Sequence, residues 1–221
     1  MERASNRSYS LRGDRMTRAQ SLAMSQSWDQ YSVEIKTQLD LNQIFSDKSQ
    51  VILEIGSGMG EATAEIAQAN PQTGYVAVEM HAPGLAALLI LINQLELKNV
   101  KLIREDATYL LANFIPDNSL DGIHLLFPDP WPKLRHHKRR LLQGDFLNLL
   151  ATKLRPGGLL HIATDWQPYA DWIAERLDQV PEFSGGVVPR PANRTFTRFE
   201  KQGLDKEHQV TDFHYFKKQI S

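Results

Sequence analysis

The chain contains no cysteine in its 221 residues. That absence excludes disulfides, thiolate zinc sites, iron–sulfur ligation and every mechanism that uses a cysteine nucleophile. It suits a cytosolic enzyme better than a small secreted scaffold, so cytoplasmic residence is expected. Long apolar runs are missing too. The longest, Leu85 to Ile92, has eight residues, against the roughly 20 that a membrane-spanning helix needs. The first 25 residues carry five arginines but no apolar stretch, which speaks against a secretory signal. Seven histidines show no metal-ligand spacing, and neither HExxH nor a Ser-His-Asp arrangement occurs. No metal is expected. With 42% hydrophobic and 23% charged residues and no internal repeat, one soluble domain is the natural reading.

Net charge of one sign is also lacking, since the formal value is only −1. The value conceals an asymmetry. Residues 1–18 hold Arg3, Arg7, Arg12, Arg15 and Arg18 against Glu2 and Asp14, or +3. Residues 133–140 hold Lys133, Arg135, Lys138, Arg139 and Arg140 with no acid, or +5, and the remainder is −9. Two basic blocks on an acidic body point to a polyanionic partner. Each block read alone is equally compatible with a solvated tail or loop.

What is present is an alternation of elements. A polar, basic arm at 1–28 precedes a single domain at 29–221. Strands are expected at 51–55, 75–79, 100–104, 120–127, 159–164 and 210–218. Helices are expected at 61–69, about 84–97, a short stretch through 111, 140–154 and 169–180. Pro156-Gly157-Gly158 reads as a helix stop leading into the next strand. Nearly continuous apolar strands alternating with helices imply an α/β, doubly wound and mostly parallel sheet covered on both faces.

Glycines follow the first strand in Glu54-Ile55-Gly56-Ser57-Gly58-Met59-Gly60-Glu61. Gly56, Gly58 and Gly60 let the backbone turn tightly and approach a ligand over the next helix. The spacing is not the G-x-G-x-x-G of dinucleotide sites, and the flanking Glu54 and Glu61 suit a cationic ligand better than a pyrophosphate. Glu79, ending the second strand, can accept both hydroxyls of a ribose. Asp106, after the third, can accept from an adenine amine, although it can equally cap the following helix. Together these acids describe a nucleoside without pyrophosphate, for which S-adenosylmethionine fits. The arrangement resembles the class I methyltransferases.

The fourth strand runs into Phe127-Pro128-Asp129-Pro130-Trp131-Pro132-Lys133 and then Leu134-Arg135-His136-His137-Lys138-Arg139-Arg140. Three prolines in five positions make a stiff turn, and the basic run after it can grip phosphates without reading sequence. Exocyclic-amine methyltransferases carry an Asn/Asp-Pro-Pro-aromatic motif at this strand end, of which PDPW reads as a variant, and this leaves that activity open. A non-catalytic RNA-binding protein on the same fold is the other alternative. The ordered set LEIGSGMGE, VAVEMH, PDPWPK with HHKRR, ATDW, and Asn193-Arg194-Thr195-Phe196-Thr197-Arg198-Phe199-Glu200 resembles the bacterial tRNA (guanine-N7-)-methyltransferase family.

That resemblance implies a Rossmann-like, mostly parallel seven-stranded sheet with an antiparallel C-terminal strand. It also implies transfer from S-adenosylmethionine to guanine N7 in the tRNA variable loop. The donor site would fall on Glu54, the three loop glycines, Glu79, Asp106 and Asp129, with Asp129 catalytic. Substrate contacts would fall on Lys133, Asp165, Thr197, Arg198, Phe199 and Glu200. RNA contacts would fall on Arg135, His136, His137, Lys138, Arg139 and Arg140. Guanine N7 carries a lone pair and no proton, so transfer to it needs no general base. The missing cysteines agree, because C5 methylation of a pyrimidine normally proceeds through a thiolate adduct. Asp165 can accept from guanine N1–H and the N2 amine, or cap the helix after it. Trp131 or Phe199 can stack on a base, and Trp131 can equally plug the core. tRNA is the expected partner, with no obligatory protein partner, in a monomer or homodimer.

Overall fold

The computed structural model describes residues 13–191 and 209–219. Seven strands form one sheet: β1 (Gln50–Ile55), β2 (Thr73–Val78), β3 (Val100–Ile103), β4 (Leu120–Leu126), β5 (Leu154–Thr164), β6 (Phe183–Val188) and β7 (Thr211–Lys217), in the order β3-β2-β1-β4-β5-β7-β6. The first five are parallel, and β7 runs antiparallel to both its neighbours. Helices α1 (Arg18–Tyr31), α2 (Leu41–Ile44), α3 (Glu61–Ala69), α4 (Ala82–Gln94), α5 (Ala107–Phe114), α6 (Gly144–Lys153) and α7 (Gln167–Leu177) cover it. Among the described residues no helix is long and apolar enough to cross a membrane.

Burial on both faces explains the strand sequences. All six residues of β2 are buried, as a parallel strand with helices above and below it requires. Leu53, Ile55, Val76, Val78, Ile123, Leu125, Leu160 and Ile162 fill one core. Tyr75, Ala77, Leu102, Leu126 and Ala163 face the other, beneath Leu85, Leu88, Leu89 and Ile92 of α4. Each such buried Leu or Ile contributes about 1.5–3 kcal/mol, enough to fix α4 on the sheet. At the amino end of the strands Asp121 accepts from Val51 N–H at 2.7 Å and from Arg155 Nη1 at 2.9 Å. One carboxylate thus ties β1, β4 and β5.

Several elements depart from the sequence reading. Residues 18–31, which span the end of the polar arm and the start of the domain in that reading, form α1. A capping box joins Thr17 and Gln20, and Gln20 Nε2 donates to the Pro83 carbonyl at 2.9 Å, buried against the start of α4. The chain then closes the β3 edge through Val33 N–H to Leu102 O at 3.0 Å, which removes an exposed sheet edge. Its periodicity was faint because few α1 positions are buried. The helix expected from 140 begins at Gly144, because 134–139 form a 3-10 turn. β5 begins already at Leu154, with the register shift against β4 absorbing the Pro-Gly-Gly segment. β6, with Ser184-Gly185-Gly186 at its centre, carries little strand propensity of its own.

Cross-strand pairing aligns Glu54, His124, His161 and His214 in one row across β1, β4, β5 and β7. The imidazoles stack edge-on, 5.5 Å and 4.7 Å between centroids, and His161 Nε2 lies 2.9 Å from Asp212 Oδ1. Among the described residues no cluster is built to hold a metal ion. Burial, then the neighbouring His161 and His214, push His124 down to about 3. The unfolded chain therefore takes up this proton near pH 6.5 while the folded chain refuses it, so stability falls as pH drops from 6.5 toward 3. Urea unfolding should show His124→Leu losing about 1–2 kcal/mol less than the parent between pH 7.5 and 5. Equal losses in the two proteins would contradict the assignment.

Candidate functional site

The carboxyl ends of β3, β2, β1, β4 and β5 lie side by side, and every loop leaving them carries a residue singled out above. Backbone bonds carry the ladder one step past the strands: Gly56 N–H to Val78 O at 2.8 Å, Glu79 N–H to Ile103 O at 3.1 Å and Phe127 N–H to Ala163 O at 2.8 Å.

The glycine loop is held from two sides. Gly56, Gly58 and Gly60 all have positive φ, at 77°, 58° and 83°, a region that only glycine enters freely. Glu79 clamps the loop, Oε2 accepting from Gly58 N–H at 3.1 Å and Oε1 from His81 N–H at 2.9 Å. Gly84, in the first turn of α4, makes the approach possible: a Cβ there would stand 2.3 Å from the Gly58 carbonyl oxygen. Nothing in the sequence pattern marked Gly84, because its reason is a contact with a distant loop.

Glu54 is 3% exposed. Burial pushes its carboxyl up to about 7, with Thr63 opposing the shift and Glu79 adding to it. Glu54 Oε2, Ser57 Oγ and Thr63 Oγ1 are buried with no hydrogen-bond partner among the described residues beyond the approach of Thr63 to the Glu54 carboxyl. Native proteins rarely leave such groups unsatisfied. Three of them around one glycine loop fit a polar, cationic ligand, and the donor set suits the amino-acid end of S-adenosylmethionine. Asp106 caps α5, Oδ1 accepting from Tyr109 N–H at 3.0 Å. That cap uses one of its two carboxylate oxygens. The basic arm enters beside these acids, with the Gly13 carbonyl 3.2 Å from His81 Nε2 and Asp14 paired to Arg104 at 3.7 Å.

Past β4 the Pro-Asp-Pro turn is flanked by strain. Phe127 and Trp131 both have positive φ, at 56° and 44°, which costs each about 1–3 kcal/mol. Asp129 sits between them, half-buried. The 3-10 turn Leu134–Arg139 then projects into solvent, with Leu134 84% exposed and Lys133, Arg135, Lys138 and Arg139 on the surface. Partial desolvation, then the charges of Arg135, Arg139, Lys133 and Lys138, hold His136 below its ordinary value. Trp131 is neither a core plug nor a bare plate: the Arg139 guanidinium lies 4.9 Å over its ring and His136 meets it edge-on at 5.8 Å.

Arg140 is placed unlike its neighbours. It is 4% exposed, turned inward from the surface on which Lys138 and Arg139 lie. His137 also turns partly inward, its ring and carbonyl engaged by Arg140 and Gln143. An RNA contact through Arg140, expected from its place in the basic run, is at odds with this burial.

Asp165 follows β5 on the strand next to the Asp129 loop, since Leu126 and Ala163 are paired. The capping position of α7 is Trp166, not Asp165. Between the 3-10 turn and α7 runs a groove of about 480 Å³ lined in part by Pro132, Leu134, Trp166, Asp171, Trp172 and Glu175. Tyr169 and Trp172 of α7 were not picked out from sequence, although their i, i+3 spacing after ATDW puts them on one helix face. Thr197, Arg198, Phe199 and Glu200 lie outside the described residues. The connection that contains them leaves β6 at Val188 and enters β7 at Thr211, and these ends pair with Asp212 and Thr164 at the carboxyl edge.

Comparisons with known proteins agree with this layout. A family model described as "Putative methyltransferase" matches residues 48–213. A tRNA (guanine-N(7)-)-methyltransferase of Streptomyces avermitilis is 49% identical over 212 residues, covering 93% of this chain and 73% of the relative. One from Nitrosospira multiformis is 47% identical over 217 residues, covering 96% and 95%. Among solved structures, the 16S rRNA methyltransferase KamB superposes with a TM-score of 0.61 at 17% identity, covering 84% of this chain and 97% of that one. TrmN from Thermus thermophilus gives 0.55 at 20% identity, covering 81% and 47%. Those two likenesses are of fold alone. Identity near one half along almost the full length is a statement about ancestry, and with it the chain belongs to the tRNA (guanine-N7-)-methyltransferase family.

Proposed function

We propose that this protein is a cytoplasmic enzyme that transfers a methyl group from S-adenosylmethionine to N7 of a guanine in the tRNA variable loop. One observation carries the reading: the glycine loop with its unsatisfied polar atoms and the strained Asp129 turn with its exposed cations leave the adjacent strands β1 and β4 at one edge. S-adenosylmethionine, when bound, supplies an activated methyl on sulfonium sulfur. Glu54 and the loop hold the ammonium of its amino-acid end, Glu79 accepts from the ribose, and the remaining Asp106 oxygen accepts from the adenine amine.

Guanine N7 has no proton to lose, so the chain need only align the reactants and stabilise the positive charge that reaches the imidazole ring. Asp129 does both, as a fixed anion at the mouth of the donor site. Asp165 accepts from the N1–H and N2 amine of guanine, with Lys133 and the Thr197–Glu200 segment completing the substrate contacts. Lys133, Arg135, Lys138 and Arg139 bind phosphates and set the register of the RNA without reading its sequence. His136 and His137 stand among these contacts, and the groove along α7 continues the surface.

Asp129→Asn should lower kcat by on the order of a hundredfold or more while leaving donor affinity within a few-fold, read by labelled-methyl transfer and by calorimetry. Full activity would remove Asp129 from the mechanism. Alanine at Arg135, Lys138 or Arg139 should reduce the slope of log affinity for tRNA against log salt by about 1 per lost phosphate contact. Because burial favours a protonated Glu54 below about 7, while a ligand's ammonium favours the carboxylate, donor binding releases a proton. Affinity should rise with pH from 5.5 toward 7, by at most about tenfold per unit. Glu54→Gln should flatten that rise; an unchanged slope would exclude Glu54 as the group responsible.

A further inference from the structure

We infer that Arg140 is a positioning residue for methyl transfer, whose buried guanidinium fixes the Asp129 turn against α7 and thereby sets Asp129 relative to Asp165. The inference rests on the methyltransferase reading for its catalytic consequence, but the clamp itself is a matter of geometry.

The guanidinium is held through two of its nitrogens and by two aromatic rings. Nε donates to the Pro130 carbonyl at 2.9 Å, the residue directly after Asp129. Nη2 lies 3.0 Å from His137 Nε2. Arginine can only donate, so His137 Nε2 is the acceptor there. The guanidinium carbon stands 4.9 Å from the ring centre of Tyr169 and 5.0 Å from that of Trp172, both on α7. These contacts span three pieces of chain: the Pro-Asp-Pro turn, the 3-10 turn and the helix that begins two residues after Asp165.

Strain makes such a clamp necessary. Phe127 and Trp131 persist at positive φ only if their surroundings over-determine them, and the Pro130 carbonyl lies between the two. With Pro128, Pro130 and Pro132 lacking N–H groups, the turn has few backbone donors to anchor it. A side-chain donor to a carbonyl inside the turn replaces them. Tyr169 is fully buried, and its phenol is influenced by Arg140 and by Asp129 in opposite senses, which makes the three groups electrostatic neighbours. A phosphate contact would need an accessible guanidinium, and this one is spent inside the protein. Lysine cannot take its place, because a compact ammonium lacks the planar fork that bonds in plane while stacking on rings.

The test compares Arg140→Lys with Arg139→Ala. Arg140→Lys should lower kcat by roughly 10–100-fold, leave the salt slope of tRNA binding and the donor affinity unchanged, and gain nothing from its retained charge. Arg139→Ala should reduce the salt slope by about 1 and raise KM for tRNA. Hydrogen exchange on intact protein without RNA supplies a second readout: amides of 127–139 should exchange faster in Arg140→Lys while those of β1, β2 and β4 keep their protection. Unchanged loop exchange would overturn the clamp whatever the substrate proves to be. In Arg140→Gln, which removes the charge, a salt slope reduced by about 1 with kcat intact would overturn it in favour of a phosphate contact. Faster loop exchange in a protein that methylates some other acceptor would uphold the clamp and dismiss the tRNA reading alone.

Discussion

Parallel pairing in register is the constraint on which everything else in the molecule depends. Ile55 lies opposite Val78, Val78 opposite Ile103, and Leu126 opposite Ala163. The carboxyl ends of five strands therefore finish nearly level, and five loops open along one edge. A slip of one residue in any pair would turn that strand's side chains over. For β1 it would carry Glu54 to the opposite face of the sheet and put Leu53 in the row with His124. The Asp121 bonds at the amino end and the backbone bonds just past the strands hold that register from both ends.

On this frame the site divides its work between a loop lined with buried polar atoms and a loop shaped to be rigid. The glycine loop surrounds polar atoms that nothing in the described protein satisfies, and its clamp is a carboxylate that still has lone pairs to offer. The Asp129 turn stores strain between two residues at positive φ and is tied down from beneath. A reaction that needs alignment and charge stabilisation but no proton transfer is well served by such a division. In the proposed reaction no group with a neutral-range titration has to act on the guanine, and Glu54, the carboxyl that burial raises toward neutrality, belongs to the strand that leads into the glycine loop.

Much of this was legible in the sequence because the pertinent signals are local. Apolar runs leading into glycine or an acid locate β1 to β3, and β4 runs into the Pro-Asp-Pro-Trp turn, which announces its own stiffness. Asp106 was open between cap and ligand contact from sequence, and the cap is seen, on one oxygen. What escaped depends on distant contacts. Helix α1 is recognisable only through Gln20 reaching Pro83, and β6 exists because β7 pairs with it. Gly84 matters because Gly58 approaches it. The five bases of 133–140 read as one block by composition, yet a 3-10 turn ending at Arg139 leaves four outward and turns Arg140 under Pro130.

Mapping the methylated nucleotide tests the central claim most directly. Transfer RNA lacking modifications, incubated with the protein and labelled S-adenosylmethionine, is digested and the nucleosides are identified by mass spectrometry. The account predicts N7-methylguanosine, confined to the variable loop. A methyl group on an exocyclic amine, at another position, or on no nucleotide at all would contradict it.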